Sequence, residues 1–158
     1  MITDWAAVVW KKLPWKVRRL AVRATQPTFT VSVAALVFGP SNKILLLDHL
    51  IRPGTGWGIP GGFLEIGEQA DEGIRREIRE EIGLELDALR LIRIRAAGSH
   101  IEILFTAIAI GEAEIKSREI KDFGWFGPDS LPPKINEAQK ALIITALEGG
   151  FEKCPAAD

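Results

Sequence analysis

The stretch GFLEIGEQADEGIRREIREEIGL, running from Gly62 to Leu84, decides the fold of this chain. At about 100° per residue, Ile74, Ile78 and Ile82 fall at i, i+4 and i+8 on one stripe of a helix, which is a core-packing pattern. Glu77, Glu80 and Glu81 fall at i, i+3 and i+4 on the neighbouring stripe, so the acidic face borders the core. Like charges at that spacing cost about a few tenths of a kcal/mol per pair, and Arg76 beside them offsets only part of it. A cation is expected there. Ala70 and Gly73 leave room above the carboxylates, while Glu72, Arg75 and Arg79 should project into solvent. Clustered hard oxygens suit Mg²⁺ or Mn²⁺ rather than zinc, which prefers nitrogen and sulfur.

A bare Glu-x-x-Glu-Glu is usually a solvated charged face. Here seven fixed positions coincide, a chance event on the order of 10⁻⁸ per window at background residue usage. Gly62, Glu68, Arg76, Glu77, Glu80, Glu81 and Gly83, with apolar residues between them, resemble a complete Nudix box, the signature of the Nudix hydrolase family. Trp57-Gly58-Ile59-Pro60-Gly61-Gly62 is similar to the family's approach to the box, and Trp125-Phe126 with Asp129-Ser130-Leu131-Pro132 to its late strand and turn. The resemblance covers roughly Thr28 to Leu147.

The resemblance implies a metal-dependent pyrophosphohydrolase acting on a nucleoside diphosphate linked to another group. By it, Glu77, Glu80 and Glu81 hold divalent metal, Glu68 supports the metal shell, and Arg76 orients the carboxylates. Gly83 matches the glycine that ends the helix in the left-handed cap conformation. A non-catalytic nucleotide sensor on the same fold is the alternative, and it must explain why every box carboxylate is kept. An isomerase would need a cysteine near the site, and the one cysteine, Cys154, lies in a polar tail.

The net charge of −1 conceals an asymmetry. Residues 1–26 hold six basic side chains against Asp4, a net of +5 that leaves −6 for the rest. An acidic catalytic body argues against extended nucleic acid as substrate. A lone cysteine fits a reducing compartment, the early apolar runs are too short to span a bilayer, and no basic leader is apparent; the protein reads as cytoplasmic.

Along the chain, residues 1–27 read as a basic, Trp-rich helical arm, 28–150 as the Nudix domain and 151–158 as a polar tail. Thr3 can cap a helix toward Leu13, Pro14 breaks it, and a second helix from Trp15 to Arg23 should bury Val17, Leu20, Ala21 and Ala24. Thr28 to Phe38 reads as a strand covered on both faces, returning through Lys43 to Leu50 after the turn Gly39-Pro40-Ser41-Asn42. Arg52 to Gly62 reads as a Gly/Pro-rich loop. Ala88 to Ala97 and His100 to Ile110 pair across Gly98-Ser99, Ile120 to Phe126 is a short strand, and Ile135 to Leu147 a closing helix. Strand pairs interleaved with two helices give an α+β protein with a mixed sheet, agreeing with the α/β/α sandwich that the resemblance implies.

Hydrolysis of a phosphoanhydride needs charge neutralisation, an in-line water and a base. Glu119 resembles in position a glutamate that some family members use as base or extra ligand; Glu112 and Glu114 compete with it. His49 and His100 read as structural or peripheral. Trp57, Phe63, Phe105 and Trp125 offer faces for a nucleobase, although core packing explains any one of them. Arg52 could hold a phosphate, and Gly61, Gly62 and Phe63 would line the substrate's approach. ADP-ribose-type members carry a proline about sixteen residues after the box, where this chain has His100. Diadenosine-polyphosphate members carry a tyrosine, and this chain has none. Both subclasses are unsupported and neither is excluded; the coenzyme A motif is also absent, and nucleoside triphosphates, including oxidised ones, and nucleotide sugars stay open.

Trp5, Trp10 and Trp15 with Lys11, Lys12, Lys16, Arg18 and Arg19 suggest an interfacial membrane anchor. Lys12 interrupts the Trp5-Val9-Leu13 side and Pro14 limits the helix, which favours packing onto this chain or, as a homodimer, onto a second one.

Overall fold

The computed structural model describes residues 4–51, 56–133 and 135–149. Its centre is a mixed sheet. Strands β1 (Thr30–Phe38) and β2 (Ile44–His49) are joined through a 3₁₀ turn at Pro40–Asn42, and they pair only at Phe38 and Ile44 before diverging. The short strands β3 (Trp57–Gly58) and β4 (Gly61–Phe63) fill the gap: β4 pairs antiparallel with β1 and β3 with β2. The segment expected as a loop up to Gly62 thus contributes two strands, because the splayed edges of β1 and β2 leave backbone groups that must be paired. Strands β5 (Glu85–Ala97), β6 (His100–Ile110) and β7 (Ile120–Phe126) complete the sheet. β6 runs parallel to β1 over its length, β5 returns antiparallel along β6, and β7 lies antiparallel on β2.

The apolar run in β1 and β2 is sorted by strand alternation onto two faces. Val33, Ala35, Val37, Leu45 and Leu47 face helix α3 (Ala70–Ile82), where they meet Ile74, Ile78 and Ile82. Leu36, Ile44 and Leu46 face helix α4 (Glu137–Leu147), where they meet Leu142, Ile143 and Ala146. The result is the expected α/β/α sandwich. The whole isoleucine stripe of α3 is fully buried, and Gly83 closes the helix in the left-handed region at φ 71°. Asn136 caps α4, its side-chain oxygen accepting Ala138 N–H at 2.9 Å.

Two local expectations fail. Arg75 does not project freely into solvent; it is partly buried and donates to the Leu86 carbonyl, tying α3 to β5. Gly73 does not leave room for ions, since a Cβ there would come within 2.3 Å of Leu64 Cδ2. The larger correction lies at the N-terminus. Helices α1 (Asp4–Lys12) and α2 (Trp15–Thr25) form on either side of Pro14, but α2 buries no residue. Val17 is 45% and Leu20 69% exposed.

Candidate active site

Arg76 organises the acidic face of α3. Its Nε donates to Glu68 Oε1 at 2.7 Å and its Nη2 to Glu68 Oε2 at 3.1 Å, a bidentate pair. Nη1 donates to Glu77 Oε1 at 2.9 Å and to Glu80 Oε2 at 3.2 Å, and Nη2 also reaches the Phe63 carbonyl at 3.1 Å. One guanidinium therefore holds three of the four box glutamates and ties them to β4. The Arg76 hydrogen bond holds the Glu68 carboxyl below the ordinary carboxylate range, helped by the N–H of Glu65. Arg76 itself is pushed further up, first by Glu68.

Glu77 is the strained member. Desolvation raises its carboxyl above the ordinary range against the pull of Arg76, and the charges of Glu80 and Glu68 push the same way as burial. It lies so close to β4 that a Cβ on Gly62 would stand 2.3 Å from Glu77 Cδ. The requirement for glycine at the start of the box thus has a steric cause. Glu80 projects outward with its side chain 60% exposed. Glu81 is buried at 8% exposure and turns from Arg76 toward His49, Oε1 standing 3.7 Å from Nδ1.

The end of α3 positions the following loop. The Glu81 carbonyl accepts Lys116 N–H at 3.0 Å, and the Ile82 carbonyl accepts Glu114 N–H at 2.9 Å, satisfying two helix-end acceptors. Of the loop carboxylates, Glu114 pairs with Lys116 and Glu112 lines a separate cleft beside Gly39 and Trp125. Glu119 is exposed in the turn entering β7, and its carbonyl accepts Leu50 N–H at 2.8 Å. That bond ties the Glu119 turn to the residue after His49, the imidazole beside Glu81.

A cleft of about 170 Å³ opens toward the α4 side of the sheet, and Gly62 links it to the acidic face. Gly61, Gly62 and Phe63 line it, together with Ser32, Ala34, Ile59, Glu102 and, from α4, Gln139. Phe63 is 63% exposed and meets His100 edge-on at 5.9 Å. His100 is held by Thr30 Oγ1 at 2.8 Å and Ser32 Oγ at 2.9 Å, as a structural histidine should be. Gln139 Oε1 is buried and makes no hydrogen bond among the described residues.

Some sequence expectations lie elsewhere. Trp57 is outside the cleft, its ring packed edge-to-face on Phe126 at 5.3 Å in the α4 layer. Phe105 belongs to the core at 6% exposure, and Trp125 lies against Gly39. Arg52 and Cys154 are outside the described residues. Sequence reasoning missed two residues that the structure brings in. His49, which reads from sequence as structural or peripheral, is carried to Glu81 by the register of β2 against β7. Gln139 reaches the cleft through α4 packing, which no local motif signals.

Among the described residues, no group of three or more His, Cys, Asp or Glu side chains converges to hold a metal ion. Arg76 gathers Glu68, Glu77 and Glu80 instead. The donor set still fits a hard divalent cation: its ligating atoms are carboxylate oxygens, and desolvated Glu77 lacks full charge compensation from Arg76.

A mixed sheet between two helical layers, with the glutamate-bearing α3 in one of them, is an arrangement found in a known class of hydrolases. The chain matches the NUDIX domain over residues 28–147. It is 30% identical over 125 residues to a MutT-like protein of Streptomyces ambofaciens, covering 78% of this chain and 80% of that protein. It is 32% identical over 108 residues to the ADP-ribose pyrophosphatase of Methanocaldococcus jannaschii, covering 64% of each. A NUDIX hydrolase structure from Nitrosomonas europaea superposes with a TM-score of 0.70 at 24% identity, over 84% of this chain and 78% of that one. The chain belongs to the Nudix hydrolase family. Hydrolases of this family generally need a divalent metal.

Proposed function

We propose that this chain hydrolyses a phosphoanhydride of a nucleoside diphosphate linked to another group, by attack of water at phosphorus. The observation that carries this reading is the contact at Gly62, which both lines the cleft and packs on the Glu77 carboxylate. A ligand seated in the cleft would have its phosphates beside the acidic face.

Glu77, Glu80 and Glu81 would hold Mg²⁺ or Mn²⁺, with Glu68 fixing their shell. Bound there, the metal supplies charge neutralisation for phosphoryl oxygens and acidifies a water. Arg76 bridges Glu68, Glu77 and Glu80 and ties them to β4. Glu119 is the base we assign: the loop carrying it hangs on the carbonyls of Glu81 and Ile82, its competitor Glu114 is spoken for by Lys116, and Glu112 faces the other cleft. His49 positions Glu81. On the nucleoside side, Phe63 offers an exposed aromatic face and Gln139 an acceptor for a ring or amino N–H. Residues 28–150 would form the catalytic unit, with 1–27 as an appended arm and 151–158 as a tail. The lone cysteine supports a cytoplasmic setting; among the described residues no helix is long and apolar enough to cross a membrane.

The substrate class is narrowed by a panel of nucleoside triphosphates, nucleotide sugars including ADP-ribose, dinucleotides, and prenyl diphosphates with Mg²⁺ or Mn²⁺, read by separating the products: a nucleoside monophosphate with pyrophosphate, a sugar phosphate or a second mononucleotide, or phosphate from a prenyl diphosphate. The relative from Methanocaldococcus jannaschii makes ADP-ribose a natural first compound. Turnover of at least one nucleotide is expected. Tight nucleotide binding with no cleavage of any of them would support the sensor reading instead.

A further inference from the structure

The N-terminal helices are amphipathic, yet among the described residues α2 has none that is buried. On α2, Val17, Leu20, Ala21 and Ala24 fall at i, i+3, i+4 and i+7 on one stripe, and the helix buries none of them. Lys16, Arg18, Arg19 and Arg23 occupy the opposite arc, with the Arg19 guanidinium 5.3 Å over the Trp15 ring. On α1, Trp5 is 69% and Trp10 40% exposed, with Val9 between them and Lys11 and Lys12 in the last turn. The sequence favoured packing of this arm on protein. The structure removes the intramolecular half of that expectation.

Three surfaces would attract a segment of charge +5. Nucleic acid would engage the cationic arc and leave the apolar stripe and tryptophans in water. A second copy of this chain, whose body carries −6, would have to present an apolar groove to the stripe and acids to the arc together. An anionic bilayer interface satisfies both faces at one plane: acyl chains take the stripe, headgroups take the lysines and arginines, and tryptophans sit at the boundary. A kink at Pro14 lets two short helices lie in that plane. Among the described residues none could span it.

From this we infer that residues 4–25 form an interfacial anchor that lays the enzyme on an anionic lipid surface. The test is co-sedimentation of the full chain with vesicles of phosphatidylcholine alone or with roughly one third phosphatidylserine, at low and physiological salt. About tenfold stronger partition onto the anionic vesicles is expected, weakened by salt. Val17→Glu with Leu20→Glu, both exposed and remote from the box, should cut that partition by about tenfold or more while leaving folding and nucleotide hydrolysis unchanged. Equal binding to both vesicles, or anionic binding that the glutamate variant retains, would overturn the proposal. So would a dimer that the variant splits in the absence of vesicle binding, or RNA binding in its place.

Discussion

Helices α3 and α2 are of similar length, 13 and 11 residues, and both carry an apolar stripe and a charged one. In α3 the stripe of Ile74, Ile78 and Ile82 is fully buried against β1, and the charged side is stitched by Arg76 to Glu68, Glu77 and Glu80. In α2 no residue is buried: Val17 and Leu20 stand exposed, and Arg19 lies over the Trp15 ring. Amphipathicity therefore says that a helix needs two environments, and not where they are. Helix α3 finds both inside its own domain. For α2 at least one must come from outside.

The sharpest way to break the account of the box is chemical. If Glu119 takes the proton of the attacking water, Glu119→Gln should lower kcat by roughly 10²–10⁴-fold with Mg²⁺ affinity nearly intact. A rise in the Mg²⁺ requirement, with extra metal recovering part of the rate, would make Glu119 a ligand instead. Near-normal rates at all metal concentrations would remove it from the mechanism.

The contrast between the helices predicts a matching contrast in stability. Ile78→Ala should destabilise the fold by about 2–5 kcal/mol, because the residue is completely buried. Leu20→Ala should change it by no more than about 0.5 kcal/mol. Urea unfolding of the two variants measures both. A large loss from Leu20→Ala would mean that the arm folds onto the body after all.

A smaller effect concerns pH. Hydrogen bonds from Arg76 and Arg79 hold the carboxyls of Glu68 and Glu85 below the ordinary range. A depressed carboxyl contributes stability that is present above its unfolded pKa and disappears as pH falls through the folded value. Acidification below the ordinary carboxylate range should therefore destabilise the protein through both pairs. Arg79→Ala should flatten that loss only slightly, since the Arg79–Glu85 pair is exposed and screened. A urea midpoint followed from neutral to acid pH, indifferent to the substitution, would dismiss the outer pair.

What the sequence disclosed and what it hid have separate physical origins. The α3 stripes, the left-handed Gly83 and the two-faced β1 are local periodicities, and they were legible because a 3.6-residue or two-residue repeat survives without tertiary context. The strands β3 and β4 were read as loop because they form only to fill edges opened by the divergence of β1 and β2. The Arg76 network was half legible: the arginine stood beside the glutamates, but its reach to Glu68 and the Phe63 carbonyl depends on how β4 packs on α3. His49 and Gln139 were hidden for the same reason, one brought in by strand register and the other by the packing of α4. The exposure of Leu20 contradicted a sound pattern, since the pattern carries no address.

The acidic face of α3 is where we place the metal on which hydrolysis depends. The direct measurement is the rate of nucleoside monophosphate formation against Mg²⁺ concentration for the wild-type chain, Glu80→Gln and Glu81→Gln, using whichever nucleotide the panel identifies. Each substitution removes a charged oxygen donor while relieving repulsion on the face, so folding should persist. Activity at limiting Mg²⁺ should fall by about 10–100-fold, with partial recovery as metal is raised. Unchanged turnover at limiting Mg²⁺ in both folded variants would contradict the assignment.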